Sequence, residues 1–376
     1  MRPLTVVLLL SLAFLPAPVH ALAQTSTPPG VRPSLAVDGR FPIEGEPLAI
    51  VAGPDAVWAA TGRQSVVRLD PVTGRVLQNV HLPGQPHALV LGEGALWVLS
   101  PDGGGMQEVP VPTAPLPDQG VPDGAWVAVA AVFRIDPGTG VIVATIPVGR
   151  PGGGIAVAAG SVWVGGQGEA GEPGTLIQID PATNAVASTI PVGPADGVVR
   201  DVAGGPGSVW ALVPCVTCPA PNHAIHVDSA QQTVIATHVL GGVLLAQSIA
   251  AVDGVAWVTG IGLVGRDPQA VQLRVDARTG EVVEEHRDGL PLEITANTTG
   301  LWESDCLAAT VMAVDPGTGQ PIGEPILVGE PAPPGFDPWT ESTDGLSCPG
   351  RPAVGEGVLW VPVPGDAVVV RVRIVG

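Results

Sequence analysis

The sequence predicts an all-β fold, a seven-bladed β-propeller of four-stranded antiparallel blades whose last blade is closed by an N-terminal strand. Three observations predict it. A tryptophan set between apolar residues recurs at Trp58, Trp97, Trp163, Trp210, Trp257, Trp302 and Trp360. All but the last lead to an apolar-x-apolar-Asp step, ending at Asp70, Asp136, Asp180, Asp228, Asp276 and Asp315. The two ends of the chain carry complementary fragments of the seventh unit. Repeats of roughly 40–50 residues built from several short strands mark radial or linear arrays.

Residues 1–23 read as a signal peptide: Arg2, a short apolar run over 4–15, and the small-residue triplet Ala21-Leu22-Ala23. The run is too short to span a bilayer comfortably, and no other stretch suits a membrane helix. A mature, exported chain is expected from Gln24, with 24–34 as a linker and 35–376 as one propeller. In the third unit, strands are predicted over 154–158, 162–165, 176–180 and 186–192. Both faces of such strands are apolar, as suits a sheet sandwiched between neighbours. The step Asp-Pro-x-Thr-Gly (Asp70 to Gly74, Asp136 to Gly140, Asp315 to Gly319) is a turn. Its Asp can accept backbone N–H groups, its Pro presets φ and its Gly takes positive φ. The final unit lacks a fourth strand, and Arg40-Phe41-Pro42-Ile43 matches the fourth-strand sequences Thr145-Ile146-Pro147-Val148 and Thr189-Ile190-Pro191-Val192. Joining the two closes the ring and removes its free edges.

Composition narrows function by exclusion. The net charge is −19 with no lysine, which disfavours nucleic acid and anionic lipid and excludes lysine Schiff-base chemistry. Glycine (51) and proline (42) are abundant, but 45% apolar residues argue against disorder. Four cysteines suit an oxidising compartment. The preferred pairing is Cys215 with Cys218 and Cys306 with Cys348. A zinc site from Cys215, Cys218, His223 and His226 is the alternative that oxidation disfavours. No metal ligand set is predicted. No hydrolase elbow, zinc-protease motif or nucleotide loop is present.

The repeated tryptophan step, the Asp-Pro-x-Thr-Gly turn and the Ile-Pro-Val strands (Ile146 to Val148, Ile190 to Val192) resemble the seven-bladed YVTN/NHL-like propeller repeats of bacterial exported and surface proteins, in the style of virginiamycin B lyase-like propellers. The resemblance covers nearly all of the chain after the leader. It implies a ring that hosts binding modules, lyases and hydrolases alike. The lyase-like members would imply a His/Glu metal-assisted centre; no position here matches it, and no residue is carried over.

Insertions point to one face of the ring. Residues 101–124, 165–174, 214–222 and 330–350 all fall in second-to-third or blade-to-blade connections, which share a face, and binding sites favour variable loops on a rigid scaffold. Counting back from each tryptophan to the start of its first strand gives mostly small apolar residues. His87, Arg200, Asp201, Gln247, Glu293 and Arg351 break that rule and are expected to converge at the pore mouth. Arg200–Asp201 and Arg351–Glu293 could equally be ion pairs that plug the channel. Two functions follow, beside a third reading as a purely structural surface repeat protein with no site. One is an exported binding or scaffold module taking a small molecule, polysaccharide or protein at the decorated face. The other is a lyase or hydrolase with His87 as general base, Glu293 as acid or metal ligand and Arg200 or Arg351 as an anion clamp; no cofactor is predicted, a divalent cation at the pore mouth being the alternative. A monomer is expected. The tryptophans read as packing between blades, and Trp339 as an anchor or loop-packing residue.

Overall fold

Short β-branched runs punctuated by Gly and Asp turns pair locally into hairpins, and the hairpins stack radially. The computed structural model describes residues 34–109, 125–205, 207–214, 221–264, 267–287, 289–297, 300–338, 341–343 and 345–375. The signal peptide, nearly all of the linker, Cys215, Cys218, Trp339 and much of 101–124 lie outside them. Seven four-stranded antiparallel sheets form the blades. Blade 1 comprises Pro47–Ala52, Val57–Thr61, Ser65–Leu69 and Val76–His81, numbered from the axis outward. The third blade runs Pro151–Ala158, Ser161–Gly166, Pro173–Asp180 and Ala185–Ala195, each strand extending the sequence prediction at its ends. In blade 2 an extra hairpin, Met106–Val109 with Ala125–Ala128, is inserted between the second and third strands.

The ends meet as expected. Ser34–Pro42 lies antiparallel beside Val368–Val375, with Leu35 opposite Ile374 and Phe41 opposite Val369. Blade 7 is thus built from both termini, and its innermost strand is only Ala353–Val354.

The core is distributed around the ring as seven apolar clusters, each shared by two neighbouring blades. Each repeated tryptophan belongs to the interface between its own blade and the next, and all are nearly fully buried. Large aromatics at such positions each bury a large apolar area between blades.

Strand register explains a second repeated feature. The third-strand residue opposite the tryptophan is Arg68 for Trp58, Arg134 for Trp97 and Arg371 for Trp360. Each guanidinium lies over its ring, at 5.9, 5.1 and 5.7 Å from the centroid. Each also donates to the turn of the next blade. Arg68 donates to the carbonyl of Gly138, Arg134 to that of Pro181 and Arg371 to that of Pro71. Such an arginine clasps two blades through a cation–π contact and charge-assisted hydrogen bonds. The turn it grips is rigid: Asp70 accepts from the N–H groups of Val72 (2.9 Å) and Thr73 (2.7 Å), and Gly74 sits at φ +66°. Blade 4 substitutes histidines. His226 stacks on Trp210 at 4.3 Å, and His238 tilts against the same ring.

Candidate functional site at the pore mouth

The six polar residues picked out by their first-strand positions line one cavity of about 600 Å³. They come from five blades: His87 from blade 2, Arg200 and Asp201 from blade 4, Gln247 from blade 5, Glu293 from blade 6 and Arg351 from blade 7. Local backbone irregularity brings them there. The first-to-second-strand registers slip between Pro47 and Ala49, between Ala246 and Ser248, and between Pro291 and Glu293. Gln247 is therefore an extra residue out of the ladder, and a bulge of this kind re-aims a side chain. Blade 3 contributes Gly152-Gly153-Gly154 instead of side chains. A Cβ on Gly153 would stand 2.1 Å from the carbonyl oxygen of Arg200, and one on Gly154 2.4 Å from the nitrogen of Val202. These glycines let the inner strand of blade 3 abut the backbone of blade 4, which sets Arg200 at the mouth.

Arg351 is the centre of the charge network. Its guanidinium reaches across the axis to pair with Asp201, donates from Nε to Glu293 Oε2 at 3.2 Å, and donates to Ser248 Oγ at 2.6 Å. Asp201 is only 5% exposed and also accepts from the N–H groups of Val202 and Ile249, both at 2.8 Å. One arginine thus ties blades 4, 5, 6 and 7 together. A disulfide supports it: Cys306 and Cys348 are bonded, Cα–Cα 4.1 Å, and Cys348 lies just ahead of Arg351 at the end of the 330–350 insertion. The cross-link pins that insertion to the second-to-third turn of blade 6.

Arg200 is arranged differently. The sequence allowed a pair with Asp201, but neighbouring strand residues project to opposite sides, and Asp201 is taken by Arg351. Arg200 instead donates from Nη2 to Gln247 Oε1 at 2.5 Å and from Nε to the Gln247 carbonyl at 3.1 Å. Among the described residues no carboxylate lies within ion-pair distance of it. Its remaining N–H groups are left for the cavity.

Electrostatics follow from this layout. Burial within the ring pushes the His87 imidazole below its ordinary value, and the Arg200 and Arg351 cations push it further, with Asp201 opposing. His87 opens onto the cavity while protein surrounds it at longer range, and its imidazole makes no hydrogen bond among the described residues. Burial raises Glu293, and the nearby Asp201 charge adds to this against the pull of Arg351 and Ser248. Asp201 and Glu293 together hold Arg351 protonated despite its burial. The structure therefore brings His87 and Glu293 into one cavity but gives the Glu293 carboxylate to Arg351. No group of three or more His, Cys, Asp or Glu side chains among the described residues is spaced to hold a metal ion.

No protein-family model and no curated protein matches this sequence. Among solved structures the chain is similar to hydrazine synthase of Kuenenia stuttgartiensis, with a TM-score of 0.67 and 14% identity over 88% of this chain and 96% of that one. It is also similar to the computationally designed Ika8 protein (TM-score 0.56, 13% identity, 89% and 98% covered). BamB from Moraxella catarrhalis gives a TM-score of 0.53 and 15% identity, with 87% and 84% covered. At such identities the likeness establishes the propeller fold, and the fold does not carry an activity. Among the described residues no helix is long and apolar enough to cross a membrane.

Proposed function

We propose that this chain is an exported binding module of the YVTN/NHL-like repeat kind that captures an anionic ligand at its loop-rich pore mouth. The carrying observation is Arg200, a cation with no carboxylate partner among the described residues, aimed into a cavity of ligand size. Arg351 engages both Asp201 and Glu293, a set with one surplus negative charge when both carboxylates are ionised, which burial offsets by raising Glu293. The unpaired guanidinium favours carboxylate or phosphate groups, which it can bind through two parallel N–H donors, and it does so against the long-range repulsion of a chain of net charge −19. The signal-like leader and the Cys306–Cys348 disulfide support export, and the chain is read as a monomer.

The test is isothermal titration with citrate, inorganic phosphate and acidic oligosaccharides. Saturable binding of at least one anion is expected, weakened by about tenfold or more in Arg200→Gln, which removes a charge-assisted contact, with the melting temperature unchanged. Binding of neutral sugars or peptides that ignores Arg200→Gln would count against the reading, as would failure of every anion. The alternative, a lyase or hydrolase, is favoured by one observation: Glu293 is shifted up and His87 down, as in an acid and base set apart by environment. It would displace the binding reading if a screened activity were lost in His87→Ala with the ring intact.

A further inference from the structure

The opposite face of the ring holds a second cavity of about 750 Å³, bounded by the short turns of blades 1, 5, 6 and 7. It borders the interface between blades 6 and 7, which lacks both the arginine and the turn of the clasp. In blade 6 the residue paired with Trp302 is Ala313, so no guanidinium lies over that ring. In blade 7 the fourth strand is the N-terminal Ser34–Pro42, so no hairpin turn joins it to the third strand Val368–Val375 for a clasp to grip. Blades 6 and 7 are instead joined at their rim, where Pro321–Leu327 meets Ser34–Pro42 and Arg40 donates to the carbonyl of Val328 at 2.6 Å. Trp302, Ala313, Ile322 and Ile374 line the apolar part of the cavity. Asp253 and Glu356 line it too; both are exposed, and neither side chain makes a hydrogen bond or ion pair among the described residues. Among the described residues no arginine or histidine lines it.

We infer that this cavity at the blade 6–7 seam binds a guanidinium group, carried by an arginine side chain or an equivalent small molecule. The group would take the place above Ala313 that Arg68, Arg134 and Arg371 fill in their own blades. Three features select it. An apolar wall of Ile322 and Ile374, with Ala313 and the nearly buried Trp302 at its base, suits the flat, weakly hydrated face of a guanidinium. Two unpaired carboxylates at the rim complement its charge. The surplus negative charge of the chain favours a cationic ligand over an anionic one here. An ammonium ion meets the charge requirement but lacks the planar face, and a neutral apolar group lacks the charge.

The probe is N-acetyl-arginine methylamide, titrated calorimetrically beside its neutral isostere N-acetyl-citrulline methylamide and the lysine equivalent. The arginine probe is expected to bind saturably, with the citrulline probe about tenfold weaker and the lysine probe between them. Ala313→Arg supplies the missing guanidinium from the chain itself and is expected to abolish binding while the ring stays folded. Should that variant fail to fold, Asp253→Asn with Glu356→Gln serves in its place; both positions are in exposed turns, and Asn tolerates the positive φ of Asp253 (50°). That pair is expected to weaken the arginine probe about tenfold and to leave the citrulline probe unchanged. Equal binding of arginine and citrulline probes, indifference of a folded variant to either replacement, or no saturable binding overturns the inference.

Discussion

Replacing Arg351 with Met removes the cation that bridges the axis while keeping the length of its stem. Asp201 would then be left 5% exposed with two backbone N–H donors and no counter-charge, and Glu293 would lose its partner as well. Breaking a buried pair costs about 3–5 kcal/mol. Two facts reduce that figure here: the Arg351 side chain is 35% exposed, so part of its attraction is already screened, and the two N–H donors continue to solvate Asp201. A loss of about 2–3 kcal/mol is expected. Urea titration followed by circular dichroism measures it, with an unchanged slope confirming that the unfolding transition is the same. Adding Asp201→Asn should return at least about 1 kcal/mol, because the stranded charge is then gone. A loss below about 0.5 kcal/mol, the range of exposed pairs, or strict additivity in the double variant, would refute the reading of Arg351 as a buried bridge.

Four further outcomes are expected. Trp97→Ala should cost about 3–5 kcal/mol by thermal or urea melting, since it empties the interface between blades 2 and 3. Cys306→Ser with Cys348→Ser should cost about 4 kcal/mol by loop entropy and should also weaken ligand binding at the mouth, because the insertion leading to Arg351 is released. His226 and His238 are both depressed by burial around Trp210, so each favours folding while neutral. Their contribution is present above the ordinary histidine value and lost as pH falls through the lower folded value; His226→Gln, the residue type that blade 3 carries as Gln178, should flatten that acid loss in melting curves recorded from neutral to acid pH. Anion affinity at the mouth should rise as pH falls below the ordinary histidine range and His87 gains charge, and His87→Gln should remove the rise in titrations at two pH values.

Much of the fold was legible because the interfaces repeat. The spacing of the tryptophans marks where one blade meets the next, and Phe41 with its neighbours reads as a fourth strand because the same apolar-Pro-apolar step recurs at Pro147 and Pro191. The mouth residues were legible for a related reason: at a crowded axis most first strands are small and apolar, so His87 and Arg351 stand out. Partner choice was not legible. Asp201 follows Arg200 in sequence yet belongs to Arg351, because strand alternation separates neighbours while ring closure brings blade 7 across to blade 4. The bulge at Gln247 likewise leaves no local mark. The clasp residues Arg68 and Arg134 look like ordinary strand positions until register sets them over Trp58 and Trp97. The seam cavity had a readable signal that an insertion-centred search passes over: the slot occupied by Arg68, Arg134, Gln178, His226 and Arg274 holds Ala313 in blade 6.

The mouth exists only if the ring closes through both termini. Ala36 and Arg373 are exposed partners across the closing pair, and the most direct measurement is oxidation of a chain carrying Ala36→Cys and Arg373→Cys, followed by proteolysis and mass spectrometry. The expected result is a peptide containing position 36 disulfide-linked to one containing position 373, formed in the folded protein. Recovery of both thiols free and alkylated from the folded protein would contradict the closed ring and, with it, the site at its centre.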